Sequence, residues 1–206
     1  MPRRVRVGGS WVDVRRSVRL GGAWVPVDQE PPLEAVPLSI MDGLTPANPN
    51  VDDTESYTLG TVWIASVPGR VHGVRLFCPS TLPLGTPTGL LYRLDTDSAG
   101  VELARADFGA LTPGAWCEAL FAEPISVAAN QPYVAAYWTQ RGYVATSRGL
   151  SQPIVSGGLT AVPNEWAYPG VDLLRNGRYG QGSAPAFPVN AFNATNYFAD
   201  VLWTPA

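Results

Sequence analysis

Beyond residue 55 the chain runs in short stretches where apolar and polar residues alternate, and Gly or Pro closes each stretch. Residues 71–78 put Val74, Leu76 and Cys78 on one side, and residues 116–121 do the same for Cys117, Ala119 and Phe121. Tyr197, Ala199, Val201 and Trp203 take the same two-residue step near the end. A period of two belongs to a strand with one buried face. The alternation predicts strands over 61–66, 71–78, 89–94, 101–108, 116–121, 133–139, 143–146 and 196–203. Pro68-Gly69, the stretch from Pro83 to Gly85, Ala99-Gly100, Pro113-Gly114 and Asn130-Gln-Pro132 supply the turns. Closely spaced strands without a helical period predict an all-β fold, an antiparallel jelly-roll-like β-sandwich over 56–206. Residues 151–193 break the pattern: Gly and Pro abound, and Trp166, Tyr168, Tyr179, Phe187 and Phe192 are scattered among them. A loop that long inside a compact domain is either functional or conceals elements that periodicity does not show.

Ahead of that body a motif repeats. Val5-Arg-Val-Gly-Gly-Ser-Trp11-Val-Asp-Val14 returns as Val18-Arg-Leu-Gly-Gly-Ala-Trp24-Val-Pro-Val27. Gly-Gly between two β-rich runs signals a tight hairpin, because both turn residues can take φ > 0. Residues 1–27 therefore read as two small β-hairpins with one Trp each, too small to be stable alone. They predict a docking or oligomerisation segment with Trp11, Trp24, Arg6 and Arg19 as candidate contacts; a decorated extension without a partner is the plainer alternative. Pro26, Pro31, Pro32, Pro37, Pro46 and Pro49 then mark residues 28–55 as an extended, Pro-rich arm or linker.

Charge sharpens this division. Residues 1–27 carry six Arg against one acid, residues 28–55 carry seven acids and no base, and residues 56–206 carry eight Arg against nine acids. The acidic segment of a neighbouring copy is thus a candidate partner for the basic hairpins. On this division, removing residues 1–55 is expected to leave a folded sandwich that no longer assembles.

Composition removes several classes. With 21 Gly and 20 Pro the chain is no helical bundle, and with 46% hydrophobic residues it is no disordered one. All 14 basic residues are Arg, which removes Schiff-base lysine chemistry and a phosphate-loop lysine. The same usage points to a high-GC genome, such as that of an actinobacterium or its phage. A net charge of −3 argues against a globally basic nucleic-acid binder. No apolar run is long enough to span a membrane as a helix. The basic start lacks the apolar stretch of a secretory signal, so synthesis in the host cytoplasm without general secretion is expected. Cys78 and Cys117 are too few for a disulfide scaffold; two buried thiols or one bridge both fit.

Catalytic constellations are hard to assemble. His72 is the sole histidine, so any Ser-His-Asp or Cys-His arrangement would have to use it. Cys78, six residues along the same strand, would lie ~20 Å away at ~3.3 Å per residue. One His and two distant Cys make a poor zinc set. Asp95-Thr-Asp97-Ser-Ala-Gly100 resembles the start of a calcium loop, but Ala99 and Ala106 fall at ligand positions and a hairpin turn fits better. Asp52, Asp53 and Glu55 read as a solvated acidic run. Asp107, Glu118, Glu123 and Asp200 offer no facing carboxylate pair that the sequence can place. No catalytic, cofactor-binding or metal-binding residue is therefore assigned, and a non-enzymatic protein without a cofactor is expected. Aromatics are the remaining lead. Sugar rings stack on Trp and Tyr faces while their hydroxyls bond to Asn and Arg. Trp166, Tyr168, Arg175, Asn176, Arg178 and Tyr179 are candidate glycan contacts, with core packing as the alternative.

Several spaced stretches resemble one bacterial family. They are Val67-Pro-Gly-Arg-Val-His-Gly-Val-Arg-Leu-Phe77, Leu91-Tyr92 with Gly100-Val-Glu-Leu-Ala-Arg-Ala-Asp-Phe108, and Gly114-Ala-Trp-Cys-Glu-Ala-Leu-Phe121. Pro124-Ile-Ser-Val-Ala-Ala-Asn-Gln-Pro-Tyr133-Val-Ala-Ala-Tyr137, Asn176-Gly, Phe187-Pro188 and Asn196-Tyr-Phe-Ala-Asp200-Val complete the set. The family is that of domain of unknown function number four thousand and eighty-two, found in multidomain surface and glycan-associated proteins of actinobacteria and in phage proteins. The resemblance implies a β-sandwich accessory module and carries over no catalytic residue. The Gly-Gly-Ser/Ala-Trp-Val repeats separately resemble short segments of actinobacteriophage minor tail proteins. Together these readings lead to a non-enzymatic structural virion protein, in a minor tail or tail-tip position rather than on the capsid. It is expected to dock on other virion proteins through residues 1–55, to form a homo-oligomer such as a trimer, and to meet host cell-wall glycan, with no nucleic acid or membrane partner. The alternatives are a capsid decoration or head-fibre protein, or a glycan-binding accessory module of a cellular surface protein.

Overall fold

The computed structural model describes residues 36–81 and 86–206, the side chains of 171–172 excepted, and the backbone of four short strands nearer the N-terminus. The chain divides into two compact units, residues 1–36 and 37–206. In the first, β1 (Arg4–Val7) pairs antiparallel with β2 (Ser10–Asp13), and β3 (Ser17–Leu20) with β4 (Ala23–Pro26). Val7 faces Ser10 and Leu20 faces Ala23, so each Gly-Gly falls between paired strand ends. Arg6 stands opposite Trp11, and Arg19 opposite Trp24. The side chains of these four docking candidates lie outside the described residues.

The second unit begins with β5 (Asn48–Val51), β6 (Tyr57–Ala65), β7 (Gly69–Phe77), β8 (Thr88–Thr96), β9 (Ala99–Asp107) and β10 (Trp116–Val127). Next come β11 (Tyr133–Thr139), β12 (Tyr143–Ala145), β13 (Ile154–Ser156), β14 (Leu159–Ala161), β15 (Trp166–Tyr168) and β16 (Val171–Leu174). It ends with β17 (Arg178–Gln181), β18 (Asn190–Ala191) and β19 (Ala199–Pro205). Two antiparallel sheets make an all-β sandwich. One has the order β10-β7-β19, and the other runs β13-β14-β6-β11-β8-β9. The loop expected over 151–193 in fact holds β13–β18.

Alternation along β11 shows how the layers form. Tyr133, Ala135 and Tyr137 face a core shared with Val74, Leu76, Cys117, Ala119, Phe121, Val201 and Trp203 of the smaller sheet. Val134, Ala136 and Trp138 face the other way, into a second core with Val62, Leu90, Tyr92, Val162 and Leu174. Both faces of β11 are covered, and all seven of its residues are buried. A strand covered on both sides reads as a continuous apolar run, as Tyr133-Val-Ala-Ala-Tyr-Trp138 does. The 151–193 segment supplies much of the outer cover. At Gly89 the two sheets approach closely: a Cβ there would strike Val74.

The outer edge of β6 is shared by two short strands. Residues 159–161 of β14 pair with 63–65, and residues 178–181 of β17 pair with 57–60. Between them the side chain of Asn176 stands in for a strand residue. Its Oδ1 accepts from the N–H of Val62 (2.7 Å) and of Gly177 (2.8 Å), and its Nδ2 donates to the carbonyls of Val62 (2.9 Å) and Val162 (2.6 Å).

The arm expected over 28–55 does not extend across its whole length, because residues 37–55 belong to the body. Leu38 N donates to the carbonyl of Trp203 (2.7 Å), Ile40 and Met41 are buried, and β5 pairs with β12. Asp200 explains the attachment. Its buried carboxylate accepts from the N–H groups of Ile40 (3.1 Å) and Met41 (2.9 Å) and from Arg75 Nη2 (2.9 Å). Arg75, stacked 4.3 Å over Trp116, also pairs with Asp42 at 2.7 Å, and Arg141 pairs with Asp52 at 2.8 Å. Net charge alone pointed the acidic segment to the hairpins of a neighbouring copy; two of its acids, Asp42 and Asp52, pair with arginines of their own chain.

Candidate functional site

The six candidate glycan residues do not form one surface. Asn176 and Arg178 are fully buried. Asn176 serves β6 as described. Arg178 donates to the Asp97 carboxylate and to the Asp97 backbone carbonyl, binding the β8–β9 turn to β17. Arg175 also grips Asp97, through its backbone N–H at 2.8 Å and through its guanidinium. Burial alone would raise the Asp97 pKa, but the Arg175 bonds and the charges of both arginines outweigh it and hold the carboxyl below its usual range. The loop-like composition of 175–179 does not separate a buried polar staple from an exposed ligand contact. Asn176 and Arg178 are therefore structural groups: the Asn176 amide and both terminal nitrogens of Arg178 bond within the protein. Trp166 and Tyr168 are half-buried, 5.5 Å apart at 37°, and packed on the second core. Tyr179 lies elsewhere, in an aromatic groove.

That groove gathers Tyr57 from the start of β6, Tyr179 from β17, Tyr143 from β12, and Phe192 and Tyr197 from the segment before β19. The pairing of β6 with β17 sets Tyr179 opposite Leu59, which places it beside Tyr57. Edge-to-face contacts join Tyr57 to Tyr143 (5.9 Å, 75°), Tyr57 to Tyr179 (6.4 Å, 64°), and Tyr143 to Tyr197 (5.8 Å, 73°). Two hollows, of about 160 and 210 Å³, share Tyr143, Phe192 and Tyr197. Phe192 stands between them with 63% of its surface exposed. Burial, and next the charge of Asp53, push the Tyr57 and Tyr143 hydroxyls up, so both remain neutral donors well above neutral pH.

On the other side of the same segment lies a polar cleft of about 450 Å³, lined by Arg148, Ser151, Asn164, Glu165, Arg175 and Asn193 with Ala191 and Ala194. Its volume falls in the range of ligand pockets, ~300–1,000 Å³. Residues 191, 193 and 194 line the cleft while 192, 195 and 197 line the hollows, so one short segment divides the two. Asn193 Nδ2 donates to Ser147 Oγ at 2.7 Å and fixes that divider. An aromatic wall beside a rim of guanidinium, amide and carboxylate groups can bind a ligand with both apolar faces and many hydroxyls.

The groups weighed for catalysis lie elsewhere. His72 Nε2 sits 2.9 Å from Thr204 Oγ1. Cys78 and Cys117 are free and buried, and burial, helped by the neighbouring Cys117, pushes the Cys78 thiol up to about 12. Such a thiol is a poor nucleophile. Among the described residues no three His, Cys, Asp or Glu side chains gather as a metal site.

The model of the family described as Domain of unknown function (DUF4082) matches residues 43–199, more than half of the chain. The chain belongs to this family. No curated protein and no solved structure matches it.

Proposed function

We propose that this member of the DUF4082 family is a non-enzymatic structural protein of an actinobacterial phage particle, in a minor tail or tail-tip position. It attaches through the hairpin unit and meets host cell-surface glycan through the tyrosine groove. The observation that carries the reading is the groove itself: four tyrosines and an exposed Phe192 beside a polar cleft, on a β-sandwich of a family without an assigned activity. Aromatic faces stack on the C–H faces of sugar rings, and Asn, Arg and Glu groups bond to hydroxyls. The repeated hairpins, which form a compact unit of their own, supply the second half of the reading.

Two measurements test it together. Immunogold microscopy of purified particles, with antibody raised against the full chain, is expected to mark the tail end. Gold on the capsid would make the protein a decoration or head-fibre component. Gold on cells and not on particles would overturn the virion role in favour of a cellular surface module. On a glycan array, Tyr143→Ala and Phe192→Ala should each weaken binding at least tenfold. Changing both Trp11 and Trp24 to Ala should reduce incorporation into particles more than thermal stability.

A further inference from the structure

Among the described residues, six other than glycine hold a left-handed backbone: Asn130, Arg148, Glu165, Asn193, Ala194 and Phe198. Four of them line the polar cleft, with φ of 58° at Arg148, 61° at Glu165, 49° at Asn193 and 47° at Ala194. This conformation is disfavoured for any residue with a Cβ, and glycine would relieve it. Asn tolerates it; Arg and Glu gain nothing from it locally. Strain that clusters at one cleft is characteristic of ligand sites, where surrounding structure holds it in place. Arg148 and Glu165 are also exposed, so neither side chain is retained for packing.

Charge indicates the ligand. Arg175 is engaged with Asp97, whereas among the described residues no acid pairs with the Arg148 guanidinium. The lining carries two guanidiniums, Arg148 and Arg175, against one carboxylate, Glu165, and since Asp97 is spent on Arg175, Arg148 is the cation the cleft leaves for a ligand. A guanidinium presents a planar fork of donors that fits the oxygens of a carboxylate or phosphate.

We propose that this cleft is the subsite for an anionic sugar unit, with Arg148 gripping its oxyanion and Glu165 accepting from a neighbouring hydroxyl. The inference rests on the glycan-contact reading above and adds the charge of the ligand and the residue that selects it. The anionic unit occupies the cleft while the adjoining sugar lies on the tyrosine groove across the 191–197 divider.

Calorimetric titration of the full chain with an oligogalacturonate, its neutral methyl ester and poly(glycerol phosphate) tests the inference. At least one anionic probe should bind, which also separates a carboxylate source from a phosphate one. The ester should bind at least tenfold more weakly. Arg148→Gly removes the guanidinium and relaxes the backbone, so it should abolish the anionic preference while the Tm holds or rises. Arg148→Lys should keep part of the preference. Equal binding of acid and ester, unchanged binding by Arg148→Gly, or a lowered Tm in that variant would each overturn the inference. If neutral glycans alone bind, and do so through Tyr143 and Phe192, this subsite falls and the glycan reading stands. If no glycan binds at all, both fall.

Discussion

Replacing Asn176 should cost more than any exposed substitution in the 151–193 segment. Its amide makes four hydrogen bonds at 2.6–2.9 Å, and the residue is fully buried. In Asn176→Ala the Val62 carbonyl keeps its bond from Val162 N–H at 3.1 Å. The N–H groups of Val62 and Gly177 and the carbonyl of Val162 lose the partner that Asn176 supplied. Leaving a buried polar group unpaired costs ~1–3 kcal/mol, so three of them predict a loss of about 3–9 kcal/mol. That is a large part of the ~5–15 kcal/mol by which a domain is ordinarily stable.

A second variant separates hydrogen bonding from packing. Asn176→Asp has the same shape, and its carboxylate still accepts from Val62 and Gly177, but its other oxygen meets two carbonyls with no proton to offer. At pH 7 it should be at least as destabilised as the Ala variant. Protonation restores one donor, so the folded state favours the neutral acid and raises the pKa of the introduced carboxyl. Its deficit should therefore be smallest below about pH 4, the unfolded carboxyl value, and grow as pH rises through the folded value. Urea unfolding of the full chain, followed by tryptophan fluorescence at pH 4 and 7, measures both effects. A loss under about 1 kcal/mol for Asn176→Ala, or an Asp variant as stable as the native protein, would refute the account of this amide as a strand substitute.

Three further outcomes are expected. Deleting residues 1–36 should leave a cooperatively folding body, whereas deleting 1–55 should lower its Tm sharply, because Ile40, Met41 and β5 are lost and Asp200 loses both backbone donors; equal Tm values for the two would contradict this. The Asp97 carboxyl is held below its usual range, so the stability it provides is complete above about pH 4 and disappears as pH falls below that. Asp97→Asn should flatten the urea midpoint between pH 2 and 5, and a profile parallel to that of the native protein would count against it. With its thiol pushed up to about 12, Cys78 should resist an aromatic disulfide reagent at pH 8 until denaturant is added, as mass spectrometry of the labelled protein would show.

The sandwich was largely legible because its strands carry their own period. All eight expected strands are present, and β11 matches residues 133–139 at both ends. The expectation failed where pairing is imposed from a distance. Strands β13–β18 are two to four residues long and exist because the edge of β6 and their own partners hold them. The attachment of 37–55 was hidden for a related reason: acids there look solvated until Arg75 and Arg141 arrive from other strands. Reading the site met the same limit. Arg175 and Tyr179 do line the two clefts, but composition could not distinguish them from Asn176 and Arg178, whose side chains are buried and bonded to neighbouring strands and turns. Tyr57, Tyr143, Phe192 and Tyr197 went unremarked as a group because long-range contacts, such as the Thr146–Asn196 bridge and the Tyr57–Tyr143 edge-to-face pair, bring them together. Tyr143, at the start of the strand expected over 143–146, was the one faint signal.

The 151–193 segment has two tasks, and they constrain one another. Val162, Leu174, Trp166 and Phe187 close the second core, while Asn164, Glu165, Arg175 and Ala191 line the polar cleft. The left-handed residues at the cleft are pinned by backbone bonds: Arg148 N donates to the carbonyl of Asn193 (3.1 Å), Leu150 N to that of Ala194 (2.8 Å), and Asn164 N to that of Leu150 (2.8 Å). The last two of these tie both walls to the buried Leu150. The rim is thereby set before any ligand arrives, and ordering it on binding costs little. A scaffold closed on both faces of its large sheet can hold such a rim under strain, whereas a free loop of the same composition would relax out of it.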